Sequence, residues 1–308
     1  MIVDLHTHIF PPELRAQRQA YLERDAWFGR LYANPKARMA TAEELIAAMD
    51  AAGVDVAVTF GFGWADPGLC RLSNDYTLAA VHRYPGRLVG LAVVNPASRE
   101  AEAEIARTAA AGLRGIGELM PDGQGFALDD ARTLAPTLEA AGALGWPVLT
   151  HASEPVGHLY AGKGRASLEP ALRLASHFPD VTLVLAHWGG GLPFYELMPE
   201  VRAALAHVYY DTAASPLLYD DAIFPLLSGL VGDKILWGTD YPLLDPARFL
   251  ARVRGSGLAG EALDKLLGAN AARLLGLDRP ANPPSGGATP AEADPRSPHR
   301  PQGPPGHG

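Results

Sequence analysis

Short apolar runs alternate with helical patterns along the first 277 residues. The runs are rich in β-branched residues and apolar at consecutive positions, which is typical of strands buried on both faces of a parallel sheet. Eight strands are predicted, at residues 2–6, 55–60, 88–94, 115–119, 147–151, 182–187, 208–211 and 235–239.

The stretches between these strands carry helix signals. Thr41 and Glu44 have the spacing of a capping box, and other helices are predicted at 101–111, 129–142, 167–177, 194–206, 220–230, 246–253 and 261–275. Eight strands alternating with helices predict an α/β protein, a (β/α)₈ TIM barrel spanning residues 1–277. A doubly wound open sheet is the alternative, but His6-Thr7-His8 stands where its glycine-rich loop is expected.

The last 30 residues differ in composition from the rest. Residues 279–308 contain nine Pro and five Gly and no Leu, Ile, Val or aromatic residue. Such a segment cannot bury enough apolar surface to offset the entropy of ordering it. Residues 278–308 are therefore predicted to be a disordered Pro/Gly-rich tail.

The overall composition and net charge restrict the kinds of molecule that the protein is expected to bind. Apolar residues make up 48% and charged residues 19% of the chain, as in globular proteins with a large core. A net charge of −8 without a basic cluster disfavours nucleic acid and anionic membranes as partners. Cys70 is the single cysteine, so no internal disulfide is possible, and with no signal peptide in view a cytoplasmic protein is expected.

The first strand ends in a pair of histidines. Side chains at i and i+2 of a strand lie on one face, so His6 and His8 should present two imidazoles side by side. Other strands also end in metal-binding residue types, namely Glu118, His151, His187 and Asp240. The carboxyl ends of barrel strands converge on one mouth, so these residues predict a metal site there.

The ligand types indicate which metal and which chemistry. Imidazole with carboxylate suits Zn²⁺ best, with Mn²⁺, Fe²⁺ or Co²⁺ also compatible. Asp240 can both contact the metal and act as general base, while Glu118 lies across the barrel and can bridge a second ion or remain a spectator. Asp211 is a candidate partner of a ligand histidine, and the loop containing Glu154, His158 and Lys163 overhangs the mouth.

These motifs resemble the amidohydrolase superfamily, in its amidohydrolase-related branch, which also contains decarboxylases similar to aminocarboxymuconate semialdehyde decarboxylase. The resemblance covers roughly residues 1–277 and rests on the histidines above, on Gly238-Thr239-Asp240-Tyr241-Pro242 and on three further segments: 84–88, 93–96 and 185–190. It implies that His6, His8, His151 and Asp240 ligate a divalent metal, usually zinc. It also implies that His187 is a second-metal ligand or the acid/base that polarises the substrate.

Glu118 departs from the superfamily pattern of a carboxylated lysine on strand four. A glutamate there is similar to the deoxyribonuclease-like metal hydrolases, in which it bridges two metals, so one or two ions are expected, with two slightly favoured. The main expectation is a hydrolase that uses metal-activated water on an amide, ester or lactone of a small molecule, with His187 stabilising the oxyanion. The alternative is a non-oxidative decarboxylase, and a third possibility is a metal-binding sensor without turnover. A homodimer is compatible with the sequence.

Overall fold

The computed structural model of the chain describes residues 1–277 and Gly306. Met1–Leu277 form one compact unit. The tail predicted at 278–308 lies outside the described residues, apart from Gly306, so its disorder remains a prediction. Within the described part of the chain, no helix is long and apolar enough to cross a membrane.

The predicted barrel is confirmed. Its eight strands are β1 Val3–His8, β2 Val56–Phe60, β3 Leu88–Gly90, β4 Ile116–Leu119, β5 Val148–Thr150, β6 Leu183–Leu185, β7 Val208–Asp211 and β8 Ile235–Leu236. They pair in parallel as β1-β2-β3 and as β4-β5-β6-β7-β8. Bridges between Ala92 and Ile116 and between Thr7 and Tyr241 join the two sheets at both seams. The carboxyl ends of all eight strands therefore open at one mouth.

Two irregularities of register lie at the strands that carry site residues. The β1–β2 pairing shifts between Asp4 and Thr7, around His6. The β4–β5 pairing shifts between Ile116 and Leu119, around Glu118. Such bulges re-aim side chains and are common beside active sites, so the backbone departs from regularity where the candidate ligands are placed.

Helices surround the strands. They are α1 Pro12–Ala16, α2 Arg18–Arg24, α3 Ala26–Tyr32, α4 Ala42–Ala52, α5 Pro67–Arg83, α6 Ala101–Ala111, α7 Pro121–Gln124, α8 Ala131–Ala143, α9 Leu168–His177, α10 Ala186–Gly189, α11 Pro199–Ala204, α12 Ser215–Leu218, α13 Ile223–Val231, α14 Pro246–Gly255, α15 Gly260–Asp264 and α16 Asn270–Leu275. Two 3₁₀ turns, Leu192–Leu197 and Gly232–Lys234, and a π turn, Lys265–Ala269, complete the framework. The capping box of α4 forms as predicted, with Thr41 and Glu44 each accepting from the other's backbone N–H.

The longest helix, α5, was not predicted from the sequence. Its buried face contains Ser73, Asn74 and Thr77 among apolar residues, so no strong apolar stripe marks it. Asn74 is satisfied by donating to the Val93 carbonyl and accepting from the Val93 N–H. A polar buried face of this kind becomes stable only when its tertiary partners are in place.

Several strands end earlier than predicted. Strand β6 was predicted to reach His187, but it stops at Leu185 because His187 and Trp188 have φ angles of 56° and 58°, which no strand allows. Strand β8 was predicted to reach Thr239 but stops at Leu236, and the Thr239 N–H and hydroxyl donate instead to Asp4. The backbone N–H groups of His187 and Thr239 donate to aspartates of other strands and do not extend the ladder.

Candidate metal centre

All six predicted metal-binding residues meet at the mouth of the barrel. They form two groups, each with ligand atoms within 4.8 Å of one another: a first group of His6, His8 and Asp240, and a second group of Glu118, His151 and His187. Five of the six are buried, and Asp240 is the most exposed, with 16% of its side chain accessible.

In the first group, hydrogen bonds determine which nitrogen of each histidine faces inward. His6 Nδ1 lies 2.8 Å from the Asp211 carboxylate, and His8 Nδ1 lies 3.1 Å from the Gly61 carbonyl oxygen. Because both of these oxygens accept, each Nδ1 carries a proton, and each ring presents a lone pair at Nε2 when it is neutral. The two Nε2 atoms face each other at 3.1 Å. Two lone pairs at that distance repel unless a proton or a cation lies against them.

Asp240 is held beside these rings by the backbone. Its N–H donates to the His6 carbonyl at 2.9 Å, and its φ of 61° turns the chain sharply at this point. Asp240 Oδ1 then lies 3.4 Å from His8 Nε2 and 3.8 Å from His6 Nε2. Asparagine and aspartate tolerate the left-handed region better than most residues, which suits Asp240 to this turn.

Glu118 lies between the two groups. One carboxylate oxygen, Oε2, is 3.7 Å from both His6 Nε2 and His8 Nε2. The other oxygen, Oε1, is 2.9 Å from His151 Nδ1 and 3.4 Å from His187 Nε2. A single carboxylate therefore contacts four imidazoles, in the position that a bridging ligand would need.

The two histidines of the second group are held differently. His187 Nδ1 bonds to the Ala213 carbonyl at 3.0 Å, so its Nε2 faces Glu118. His151 presents Nδ1 to Glu118, while its Nε2 lies 3.1 Å from both the Ser153 hydroxyl and the Gly162 carbonyl. Both ring nitrogens of His151 thus have partners, and one pair of partners belongs to the loop after β5.

Two buried aspartates accept hydrogen bonds from residues of the site and hold them in place. Asp211, which sequence reasoning considered as a partner, accepts from His6 Nδ1 and from the His187 N–H at 2.9 Å. Asp4, which sequence reasoning missed, accepts from the Thr239 hydroxyl at 2.7 Å and from the N–H of His6. A charged residue in the middle of an apolar strand was the signal that would have identified Asp4. The hydrogen bond between Asp4 and Thr239 connects β1 to the segment that carries Asp240.

The carboxylates control the protonation of the site. Burial would raise the pKa of Glu118, but hydrogen bonds from His151 and His187 hold it well below its usual value. Burial opposes a charge on His6, yet the Asp211 carboxylate raises its pKa to about 9. Burial likewise opposes a charge on His187, and Glu118 raises the pKa of that ring to about 10. The site therefore favours positive charge, which either protons or a divalent cation can supply.

The donor set fits a divalent metal ion. Imidazole nitrogens and carboxylate oxygens are the ligands of Zn²⁺, Mn²⁺ and related ions, and the carboxylates offset the charge of the ion. The inward-facing lone pairs of His6 and His8 and the oxygens of Asp240 and Glu118 already point at a common region. The Nδ1 of His6 also donates to the Asp211 carboxylate, and metal-bound histidines usually have such a partner.

Aromatic side chains close the mouth on the β1–β2 side. Phe60 packs against both His6 and His8, with ring centroids 5.1 and 4.7 Å apart. Tyr32, at the end of α3, stacks on Phe28. Burial is the main cause of a raised pKa at Tyr32, and the charges of Asp240 and Glu118 raise it further. The phenol of Tyr32 therefore stays protonated.

Two tryptophans and the single cysteine have roles in packing. Trp64 and Trp188 are fully buried, and each indole N–H donates to a serine hydroxyl, that of Ser73 or Ser215. The Cys70 thiol is buried, and burial raises its pKa, which makes it unreactive. None of these three side chains is a member of either group of candidate ligands among the described residues.

Residues 3–277 match the protein family described as Amidohydrolase. A solved 5-carboxyvanillate decarboxylase from Sphingomonas paucimobilis is 20% identical, with a TM-score of 0.73 over 89% of this chain and 98% of that chain. A 5-carboxyvanillate decarboxylase from Novosphingobium aromaticivorans, complexed with manganese and 4-hydroxy-3-methoxy-5-nitrobenzoic acid, is 18% identical, with a TM-score of 0.71 over 90% and 96%. A 2,6-dihydroxybenzoate decarboxylase from Rhizobium is 17% identical, with a TM-score of 0.66 over 90% and 99%.

The main functional expectation from the sequence, a hydrolase, is wrong in the light of these comparisons, because most of the similar structures are decarboxylases. The physical reason for the error is that one set of histidines and carboxylates can hold a metal for either reaction, so the ligands alone do not discriminate. The solved structures share the barrel fold, and the match over residues 3–277 covers nearly the whole described chain. The protein therefore belongs to the amidohydrolase family.

Proposed function

We propose that this protein is a divalent-metal-dependent, non-oxidative decarboxylase that acts on a small aromatic carboxylic acid. The observation that carries the proposal is the convergence of His6, His8, Glu118, His151, His187 and Asp240 at the mouth of the barrel. The shared fold with decarboxylases of 5-carboxyvanillate and 2,6-dihydroxybenzoate supports the reaction and the substrate class.

We assign the first group, His6, His8 and Asp240, as the primary metal ligands, with Glu118 shared between this group and His151. A divalent cation held there would supply positive charge that attracts an acidic substrate and stabilises negative charge during reaction. Zinc was the expectation from the ligand types, and the manganese in a similar structure adds Mn²⁺ as an equal candidate. Glu118 can serve either one ion or two.

His187 and Asp240 are the acid–base candidates. Decarboxylation breaks the bond between the carboxyl carbon and the ring carbon, releases CO₂ and leaves an electron pair on the ring carbon, which must take up a proton. His187 Nδ1 is committed to the Ala213 carbonyl, so Nε2 is the atom that exchanges a proton with the substrate. Asp240 is the second proton carrier, because its side chain is the most accessible of the six.

Release of CO₂ from a panel of aromatic acids, including 5-carboxyvanillate and 2,6-dihydroxybenzoate, tests the proposal with protein loaded with Mn²⁺ or Zn²⁺. We expect metal-dependent CO₂ release from at least one acid. His187→Asn should lower the rate by about 10²-fold or more, because asparagine keeps the left-handed backbone but cannot act as the acid. His177→Asn, at the end of α9, is the matched control and should leave the rate unchanged. Metal-loaded protein that releases no CO₂ from any acid would contradict the proposal.

A further inference from the structure

The segment that carries Asp240 continues from β8 but is not part of a regular strand. Strand β8 ends at Leu236, and the backbone turns at Asp240, whose φ is 61°. The Asp240 N–H donates to the His6 carbonyl at 2.9 Å, as in a backbone ladder. The N–H of Thr239, the preceding residue, instead donates to the Asp4 carboxylate at 2.9 Å. A side chain therefore takes the place of a backbone acceptor directly beside Asp240.

The Asp4 carboxylate holds the chain on both sides of Asp240. Its Oδ1 accepts from the N–H of Thr239 and from the N–H of His6, the latter at 3.3 Å, and its Oδ2 accepts from the Thr239 hydroxyl at 2.7 Å. The Thr239 hydroxyl in turn accepts from the Tyr241 N–H at 3.0 Å. Burying a carboxyl group costs free energy unless its oxygens are hydrogen-bonded, and both oxygens of the buried Asp4 are.

Gly238 brings the same segment as close to His6 as a polypeptide chain allows. A Cβ at Gly238 would lie only 2.8 Å from the His6 Cβ, so no side chain fits between them. Asp240 Oδ1 lies 3.4 Å from His8 Nε2 and 3.8 Å from His6 Nε2. Any displacement of this segment away from β1 would lengthen these two distances.

All three ligands of the first group are thus positioned by one strand. His6 and His8 belong to β1, and Asp240 is placed by bonds to the His6 carbonyl and to Asp4, which also belong to β1. Distances from ligand atoms to a bound metal have to agree within about 0.2 Å with their usual values. A contact that fixes Asp240 relative to the two imidazoles therefore affects how well the group can bind an ion.

We propose that Asp4 is a positioning residue of the metal centre, which holds Asp240 against His6 and His8 through Thr239. This inference rests on the proposed function, in which these three residues bind the metal. Asp4 contacts neither the ion nor the substrate. It sets the distance between the carboxylate and the imidazoles through the backbone, so its loss should weaken metal binding and misplace Asp240 as a proton carrier.

The first test measures the dissociation constant of Mn²⁺ or Zn²⁺ by competition with a chelator. Asp4→Asn keeps the shape of the side chain, but its NH₂ group meets a donor of Thr239 in place of an acceptor. Residues that orient metal ligands change metal affinity by about 10–100-fold, and we expect about tenfold here because the backbone bond from Asp240 to His6 remains.

Variants of Thr239 test the same contact from the other side and serve if Asp4→Asn folds poorly. Thr239→Val removes only the hydroxyl, which leaves Asp4 Oδ2 without this donor, and should also weaken metal binding by about tenfold. Thr239→Ser keeps the hydroxyl and should restore the affinity. Because Asp4 and Thr239 act as one unit, the double variant Asp4→Asn/Thr239→Val should lose no more affinity than either single variant.

A variant that only destabilises the barrel is the control. Val208→Ala removes two methyl groups from a fully buried side chain at the start of β7, at the end of that strand opposite to Asp211. It should lower the midpoint of urea unfolding of the metal-free protein without changing the metal dissociation constant. At saturating metal, Asp4→Asn should lower kcat for CO₂ release by about tenfold and leave the KM for the acid nearly unchanged, whereas Val208→Ala should change neither.

Metal affinities close to that of wild type in both Asp4→Asn and Thr239→Val would overturn the inference. An equal loss of affinity in Val208→Ala would also overturn it, because any loss of stability would then weaken the metal site. These measurements do not require turnover. Wild-type protein that binds the metal but releases no CO₂ would therefore refute the proposed reaction alone, whereas wild-type protein that binds no divalent metal would refute both.

Discussion

The two halves of the candidate metal centre are held in different ways. In the first group, His6, His8 and Asp240 are oriented by strand backbone and by the buried Asp211. In the second group, His151 is oriented partly by a surface loop, through Ser153 and Gly162. The difference indicates that the barrel itself preorganises the first group, whereas in the other half the orientation of His151 depends on how the loop after β5 is folded.

The largest effect is expected from a change within the first group. Asp240→Asn keeps the shape and the left-handed backbone but removes the charge that faces His6 and His8. We expect CO₂ release to fall by more than about 100-fold, because losing a ligand costs more than losing a group that only orients one. Metal content measured on the purified protein should fall as well. Full metal content together with unchanged turnover would contradict the assignment of Asp240.

A smaller effect is expected when the support of the first group is weakened. Asp211→Asn retains an oxygen for His6 but loses the charge that strengthens His6 as a ligand. Metal affinity, measured by competition with a chelator, should fall by about 10–100-fold. Asp130→Asn, at the N-cap of α8, is a control in which metal affinity should not change. Equal affinities for the two variants would show that Asp211 does not act on the metal site.

A still smaller effect is expected on the loop-dependent half. Ser153→Ala removes the hydroxyl that contacts His151 Nε2 and accepts from Gly164. One hydrogen bond contributes about 0.5–1.5 kcal/mol, so metal affinity should fall by about 2–10-fold. Hydrogen exchange of the backbone should accelerate in residues 153–165 and stay unchanged in β1. Faster exchange in β1 to the same degree would remove the distinction between the two halves.

The smallest effect is expected outside both halves, on the outer surface of the barrel. Glu104 in α6 accepts hydrogen bonds from Asn74 and Arg107. Burial alone would raise the pKa of Glu104, but these hydrogen bonds hold it below the usual value. Because the folded pKa is the lower one, the stabilisation is complete above pH ~4.5 and is lost as the pH falls through the folded pKa. Glu104→Gln should therefore lower the free energy of unfolding by about 1 kcal/mol at pH 7 and by less at pH 3, without changing metal affinity.

Urea unfolding of Glu104→Gln at both pH values provides the measurement. Glu102→Gln, at an exposed position of the same helix, is the control and should resemble wild type throughout. A difference between Glu104→Gln and wild type that grows below pH 4 would contradict the direction of the pKa shift.

Much of the site was predictable because its signals are local. Alternation within a strand placed His6 and His8 on one face, and their Nε2 atoms do meet at 3.1 Å. Apolar runs marked the ends of β4, β5, β6 and β8, and barrel topology brought those ends together. The helices α1–α3 were not predicted, because their short turns carry no long apolar stripe.

The sequence by itself determined the barrel, the family and the residues available as ligands, since apolar periodicity and residue type act over a few positions along the chain. Only the tertiary structure decided which nitrogen of each histidine faces inward, because Asp211 lies 205 residues from His6 and Gly61 lies 53 residues from His8. It also revealed the link from Asp4 to Thr239. Hydrogen-bond partners and buried unpaired atoms are properties of packing between remote segments, and packing is what a linear pattern does not encode directly.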